Sequence, residues 1–154
     1  METATFKQVF NEYDTHYKSV DDDWNPDEAS CFTLINDEWA LVDTEANPYE
    51  LLQQFVYHGF DGTSALTMHG WAAPLSENDD LDQVRPSQHI ARRRCRIHIV
   101  MSQKEWQCAI AFSDMPDELD HMGEQGVGGV ADAISQYLEE LEIGREIDQL
   151  NQSL

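Results

Sequence analysis

Basic residues and long apolar runs are scarce in this chain of 154 residues. Nine Lys and Arg stand against 30 Asp and Glu, which gives a formal net charge of −21. A surface of this charge repels nucleic-acid phosphates and anionic lipids, so we expect no nucleic acid and no membrane among its partners. The chain contains no run approaching the roughly 18 apolar residues that a transmembrane helix requires.

Cysteine is also rare, with three residues at Cys31, Cys95 and Cys108. The odd number and the lack of a C-x-x-C motif favour reduced thiols, which are typical of cytoplasmic proteins. The first ten residues do not contain the apolar segment of a signal peptide. The sequence therefore predicts a cytoplasmic protein.

Motifs for catalysis and cofactor binding are missing as well. The chain has no G-x-S-x-G motif, and no two of its six histidines have the spacing of a local metal site. The best combination for a metal is His89, His121 and Asp114, provided that they converge from two loops. We assign no catalytic residue, no resident metal and no cofactor, and a metal-dependent enzyme is the least favoured alternative.

Hydrophobic residues make up 41% of the chain, including four Trp, five Tyr and six Phe. This amount of apolar material is sufficient for one folded domain of this length. We expect a single α+β domain over residues 1–144. Apolar residues recur at near-helical spacing in residues 145–154, so this C-terminal tail has helical character.

Hydrophobic periodicity predicts helices, and period-two alternation predicts strands. The predicted order is α-ββ-α-βββ-α, which indicates a single antiparallel sheet with helices packed on one face. The helices are expected at residues 4–18, from Asn47-Pro48 to Gly59, and from Gly128 or Gly129 to Gly144; the strands at 31–36, 39–43, 64–73, 94–101 and 106–112.

The last three predicted strands form a meander, because a short loop at 102–105 joins the final two. The expected pairs are Met101 with Trp106, Ile99 with Cys108, and Cys95 with Phe112. Cys95 and Cys108 do not face each other in this register, which argues against a disulfide.

Two long connections, 74–93 and 113–128, are expected to leave the same end of the sheet. Six of the nine basic residues fall between positions 85 and 104, where there is no acid. This arrangement brings Arg92, Arg93 and Arg94 near the acids of the second loop, which are Asp114, Asp117, Glu118 and Asp120. The arginines either neutralise these acids or bind an anion or an acidic partner.

One face of the meander is less apolar than the other. It carries His69 and Trp71 on one strand and Arg96 and His98 on the next. This face is either half-solvated or a surface for a flat ligand or a partner segment. The candidate binding residues are thus Arg92, Arg93, Arg94, Arg96, His69, Trp71 and His98.

Several segments taken together resemble a family of small actinobacterial proteins that carries a locus-tag name and no assigned activity. The resemblance spans about residues 30–142, and the family has a charged stretch where this chain has Ile90-Ala91. It implies a cytoplasmic actinobacterial protein and supplies no site residue. The segments are ALVDTEANPYELL (40–52), HGWAAPL (69–75), PSQH (86–89), RRRCRIHIV (92–100) and CAIAFSD (108–114), followed by a glycine-led helix.

The favoured hypothesis is a non-enzymatic cytoplasmic interaction module, of the adaptor or chaperone type, with a protein partner that the sequence does not identify. The alternative is a binder of a small anionic ligand through the Arg92–Arg96 strand. A homodimer is also open, because Leu150 and Leu154 would be exposed in a monomer.

Overall fold

The computed structural model describes residues 3–20, 29–72, 93–123 and 129–152. The described chain forms an α+β fold, as predicted. Its helices are α1 (Thr3–Val20), α2 (Leu52–Asp61) and α3 (Gly129–Gln152). Its strands are β1 (Ala29–Ile35), β2 (Glu38–Glu45), β3 (Thr63–Ala72), β4 (Arg93–Ser102), β5 (Glu105–Phe112) and β6 (Met115–Gly123).

The strands form one open antiparallel sheet in the order β2-β1-β3-β4-β5-β6. The β3-β4-β5 meander is confirmed, as are the three predicted pairs between β4 and β5. The predicted β1-β2 hairpin is also confirmed, with its turn at Asn36-Asp37. Both turn residues have positive φ, which Asn and Asp tolerate better than other non-glycine residues.

The predicted long loop at 113–128 is wrong, because Met115–Gly123 forms the edge strand β6. Its acids and its proline argue against a strand in the sequence, since such residues are depleted in sheets. An edge strand tolerates both, because one side of its backbone needs no partner and its charges reach water. Glu118 and Asp120 are exposed on this strand.

The predicted helix start at Asn47 is confirmed. Its side chain accepts a hydrogen bond from the Tyr49 amide, and a 3₁₀ turn at Pro48–Leu51 leads into α2. The predicted ends at Gly59 and Gly144 are wrong, since α2 continues to Asp61 and α3 to Gln152. Gly59 is instead buried where α2 meets the sheet.

The β4-β5 turn closes the C-terminus of α2. The amides of Gln103 and Lys104 donate hydrogen bonds to the carbonyls of Gly62 and Gly59, respectively. These bonds satisfy backbone acceptors at the end of α2, where the helix itself supplies no donor. They also hold Gln103 and Lys104 at positive φ, a conformation that such side chains rarely adopt.

The prediction that all helices pack on one face is wrong. The apolar core beneath α2 and α3 includes Leu66, Ile99 and Cys108, whereas α1 packs on alternate residues such as Ala65, Val100 and Ala109. Successive side chains of a strand point to opposite faces of the sheet, so α1 packs on the face opposite to α2 and α3. That face is buried by four aromatic residues of α1, which are Phe6, Phe10, Tyr13 and Tyr17.

Candidate functional site

The most polar part of the interior lies between α1 and the strands β3 and β4. The hydroxyls of Tyr13 and Thr67 lie 2.6 Å apart, and the Thr67 Oγ1 lies 2.7 Å from His98 Nδ1. His98 Nε2 lies 3.0 Å from Asp14 Oδ1, and Lys18 Nζ lies 2.8 Å from Asp14 Oδ2. We call these five residues the α1 network.

The ionisation of the α1 network follows from its surroundings. Burial lowers the pKa of His98 and outweighs Asp14, which acts to raise it. The lowered pKa means that the imidazole is neutral at neutral pH. Burial alone would raise the pKa of Asp14, but hydrogen bonds from His98 and Lys18 outweigh it and hold that pKa below its ordinary value. Burial also raises the pKa of Tyr13, so its phenol remains a donor.

These protonation states determine which group donates in each hydrogen bond of the α1 network. His98 Nε2–H donates to the Asp14 carboxylate, so His98 Nδ1 must accept the Thr67 hydroxyl. Thr67 in turn accepts from the Tyr13 phenol. Each donor in this series of hydrogen bonds, from Tyr13 to Asp14, therefore has an acceptor, as buried polar groups require.

The α1 network has the residue types of a hydroxyl–imidazole–carboxylate catalytic set. However, the side chains of Thr67 and His98 are fully buried, and α1 covers them. Displacing α1 to admit a substrate would also remove Asp14, which α1 carries. The geometry therefore suits the attachment of α1 to the sheet.

Three of the predicted binding residues come together on this polar face. His69 pairs across the strands with Arg96, and His98 lies two residues further along β4. The Arg96 Nε donates to His69 Nε2 at 3.4 Å, and its guanidinium stacks on the Tyr17 ring at 4.7 Å. Arg96 is only 1% exposed, so the expectation of a half-solvated face is wrong.

The structure describes the remaining predicted binding residues only in part. Arg94 is half-buried on β4, and its carbonyl accepts a hydrogen bond from the Ser113 amide. The side chains of Trp71 and Arg93 lie outside the described part of the structure, as does all of Arg92. The predicted cluster of arginines and acids stays a prediction, since the side chains of Arg92, Arg93 and Asp117 are outside the described part of the structure. Arg94 lies beside the β5-β6 turn that contains Asp114, whereas Glu118 and Asp120 lie on β6.

The predicted metal combination is wrong for the two residues that are described. Asp114 lies in the β5-β6 turn, whereas His121 pairs with Ala109 near the opposite end of β6. Their neighbourhoods on β5 are set by Ala109, which pairs with His121, and Phe112, which pairs with Met115; these two are three residues apart, which is about 10 Å of extended strand. His89 lies outside the described residues, and none of the described His, Cys, Asp and Glu side chains form a group that could hold a metal ion.

The three cysteines are buried, and none of them forms a disulfide. Burial raises the pKa of Cys31 and Cys108 to about 12 and that of Cys95 to about 11. Thiols with such values are poor nucleophiles at neutral pH. They act as small apolar residues of the core.

A second candidate surface is the outer side of α3. Ile143, Ile147 and Leu150 are 49%, 52% and 66% exposed, and their spacing places them on the side opposite Ile134, which is buried in the core. Beside them, a groove of about 380 Å³ lies between α2 and α3. Its lining includes Tyr57, Tyr137 and Leu141, and Tyr57 is 61% exposed.

The core side of α3 is held in place by cations. Arg145 pairs with Asp61, and its guanidinium lies 5.0 Å from the centre of the Phe60 ring. Lys104 also contacts this ring, at 4.6 Å, and lies 3.6 Å from Glu142. These contacts fix the rotation of α3, which leaves Ile143, Ile147 and Leu150 directed away from the domain.

Sequence reasoning missed Asp14, Thr67 and Tyr13 as partners of His98. A signal was present, because Asp14 falls within the apolar stripe of the first helix, at a position where an acid requires a buried partner. Nothing in the sequence identifies that partner, which is 84 residues away.

No protein-family model matches the chain, and comparison with curated proteins and with solved structures found no match. The resemblance to an actinobacterial family therefore stays a prediction. No helix among the described residues is long and apolar enough to cross a membrane.

Lowering the pH should destabilise the folded protein through the α1 network. Both His98 and Asp14 have pKa values below their ordinary values of 6.5 and 3.8, so the unfolded chain takes up more protons as the pH falls. The free energy of unfolding should decrease below about pH 6.5, by up to about 1.4 kcal/mol per pH unit from His98 alone. Denaturant titrations at about pH 7.5 and about pH 5.5 measure this loss.

A His98→Gln variant is the matched control, since glutamine keeps hydrogen-bonding groups but does not titrate in this range. Its stability should decrease less between the two pH values than that of the wild type. Equal decreases would mean that His98 does not resist protonation in the folded protein.

Proposed function

We propose that the protein is a non-enzymatic interaction module, of the adaptor or chaperone type, that binds a partner protein through the outer side of α3. The observation that carries this proposal is the exposed row of Ile143, Ile147 and Leu150 next to an apolar groove. Contiguous exposed apolar surface is typical of sites that bind other proteins. A helix face of this kind is also the usual receptor for a partner helix.

The polar face offers less support for a ligand-binding function. Arg96 and His98 lie beneath α1, and the α1 network attaches that helix to the sheet. An anionic ligand would reach these residues only after α1 had left its place. The proposal includes a cytoplasmic location, which three buried thiols without a disulfide support.

The proposal predicts that a single charge on α3 abolishes partner capture. The immobilised wild type, an Ile147→Asp variant and a Ser135→Asp control are exposed to a native bacterial extract, and the captured proteins are compared by mass spectrometry. Ser135 is exposed on the same helix, about 80° around the axis from Ile143 and about 120° from Ile147. A specific partner should be retained by the wild type and the control at near-stoichiometric level.

The Ile147→Asp variant should lose that partner, because a carboxylate would be desolvated in the apolar contact. Capture of the same proteins by all three forms would contradict the proposal. Unchanged far-ultraviolet circular dichroism would establish that the variant keeps its fold.

A further inference from the structure

The interior of α3 contains a glycine that the folded monomer does not explain. Gly144 is exposed within a helix of 24 residues, and, apart from adjacent residues and the helix's own backbone, no atom of the described residues lies within 4 Å of the position its Cβ would take. Glycine is the least favourable helix residue apart from proline. Because glycine has no Cβ, another backbone can approach a helix closely at this position.

Gly144 lies at the boundary between the groove and the row of apolar side chains. Glu140, Gly144 and Ile147 follow one another at spacings of four and three residues, so they share one side of α3. Glu140 lines the groove, and Ile147 belongs to the exposed row. The missing side chain of Gly144 therefore leaves a gap between the groove and the row of apolar side chains.

The charge around this gap is negative. The α3 helix carries six acids and one base, and the base, Arg145, is directed toward Asp61 and Phe60 on the core side. Glu139, Glu140 and Asp148 are exposed on the rest of the helix. A second copy of this chain would bring like charges together, in addition to a net charge of −21 on each molecule.

From these observations we infer that the partner contributes a basic amphipathic helix, which crosses α3 at Gly144. Its apolar side packs against Ile143, Ile147 and Tyr57, and its Lys or Arg side chains lie beside the α3 carboxylates. The inference rests on the proposed function and specifies the class of partner for the same surface.

The test uses three labelled 18-residue peptides and fluorescence anisotropy at about 0.15 M salt, where long-range attraction is screened. One peptide is an amphipathic Leu/Lys helix. The second has the same composition in scrambled order, and the third has Glu in place of Lys. The amphipathic Leu/Lys peptide should bind at least about tenfold more tightly than either of the others.

Two variants test whether the partner helix crosses α3 at Gly144. Gly144→Leu fills the gap and should weaken binding of the Leu/Lys helix by at least about tenfold, whereas Ser135→Leu should leave it unchanged. Ser135 is exposed on the opposite side of α3, so it controls for the added side chain. Equal binding by wild type and Gly144→Leu would overturn the crossing at Gly144.

The remaining outcomes separate the two proposals. Equal binding of the Leu/Lys and Leu/Glu helices would overturn the basic partner while leaving the α3 surface in place. Dimerisation of the wild type that Gly144→Leu abolishes, measured by sedimentation, would make a second copy the occupant instead. If no peptide binds while Ile147→Asp still loses its captured partner, the inference fails and the proposed function stands.

Discussion

Replacing Gly59 with alanine should lower the free energy of unfolding by about 3 kcal/mol, at the upper end of the usual cost of overpacking. A Cβ at this position would lie 2.6 Å from both the Met101 Cγ and the Ser64 Oγ. Neither neighbour can move away easily. Met101 is fully buried, and the Ser64 hydroxyl donates a 2.7 Å hydrogen bond to the Phe55 carbonyl.

The matched control is the same substitution in the other glycine-containing helix. Gly144→Ala should raise the free energy of unfolding by about 1 kcal/mol, because alanine favours the helix and the site is open. Urea denaturation of both variants measures the two effects. Similar changes in both variants would mean that α2 does not pack on the sheet as closely as the structure describes.

Replacing Asp14 with alanine should lower the free energy of unfolding by about 1.5–3 kcal/mol, the range for hydrogen bonds to charged groups. The substitution leaves the His98 Nε2–H without its acceptor in the interior and removes the partner of Lys18. Asp14→Asn should cost less, since the amide oxygen can still accept the bond. Chemical denaturation near neutral pH, where Asp14 is ionised, gives the comparison.

Glu12→Ala provides the control for loss of an acid from α1. Glu12 is exposed, so this change should stay within about 0.5 kcal/mol of the wild type. If Asp14→Ala were no more destabilising than Glu12→Ala, the α1 network would not attach the helix to the sheet.

The meander could be predicted from the sequence because its signals are local. Alternation along 94–101 and 106–112 indicates which side chains share a face, and the short turn between them determines the register. The cap at Asn47 was predictable for the same reason, since Asn-Pro acts within one turn of helix.

The polar face could not be interpreted correctly from local pattern alone. A strand with Thr67 and His69 reads as half-solvated, because polar side chains usually face water. What buries this face is α1, which supplies Asp14 and two tyrosines that match the polar groups of the sheet. Such a match depends on pairs far apart in the sequence, which hydrophobic periodicity does not specify.

The acidic edge strand and the ends of the helices were missed for a different reason. Propensity rules treat Pro116 and the acids that follow as a loop, yet the edge of a sheet places few demands on side chains. Gly59 and Gly144 both read as helix ends, whereas one is a close packing position and the other is an open gap. Glycine signals a backbone requirement without stating which one applies.

The most direct test is an amide NMR titration of the full-length protein with the amphipathic Leu/Lys peptide. The proposed function predicts that the largest chemical-shift changes fall on residues 137–150 of α3 and 53–58 of α2, with Thr67, Arg96 and His98 unchanged. Changes concentrated on α1, β3 and β4 would contradict it and would make the buried polar face the binding site.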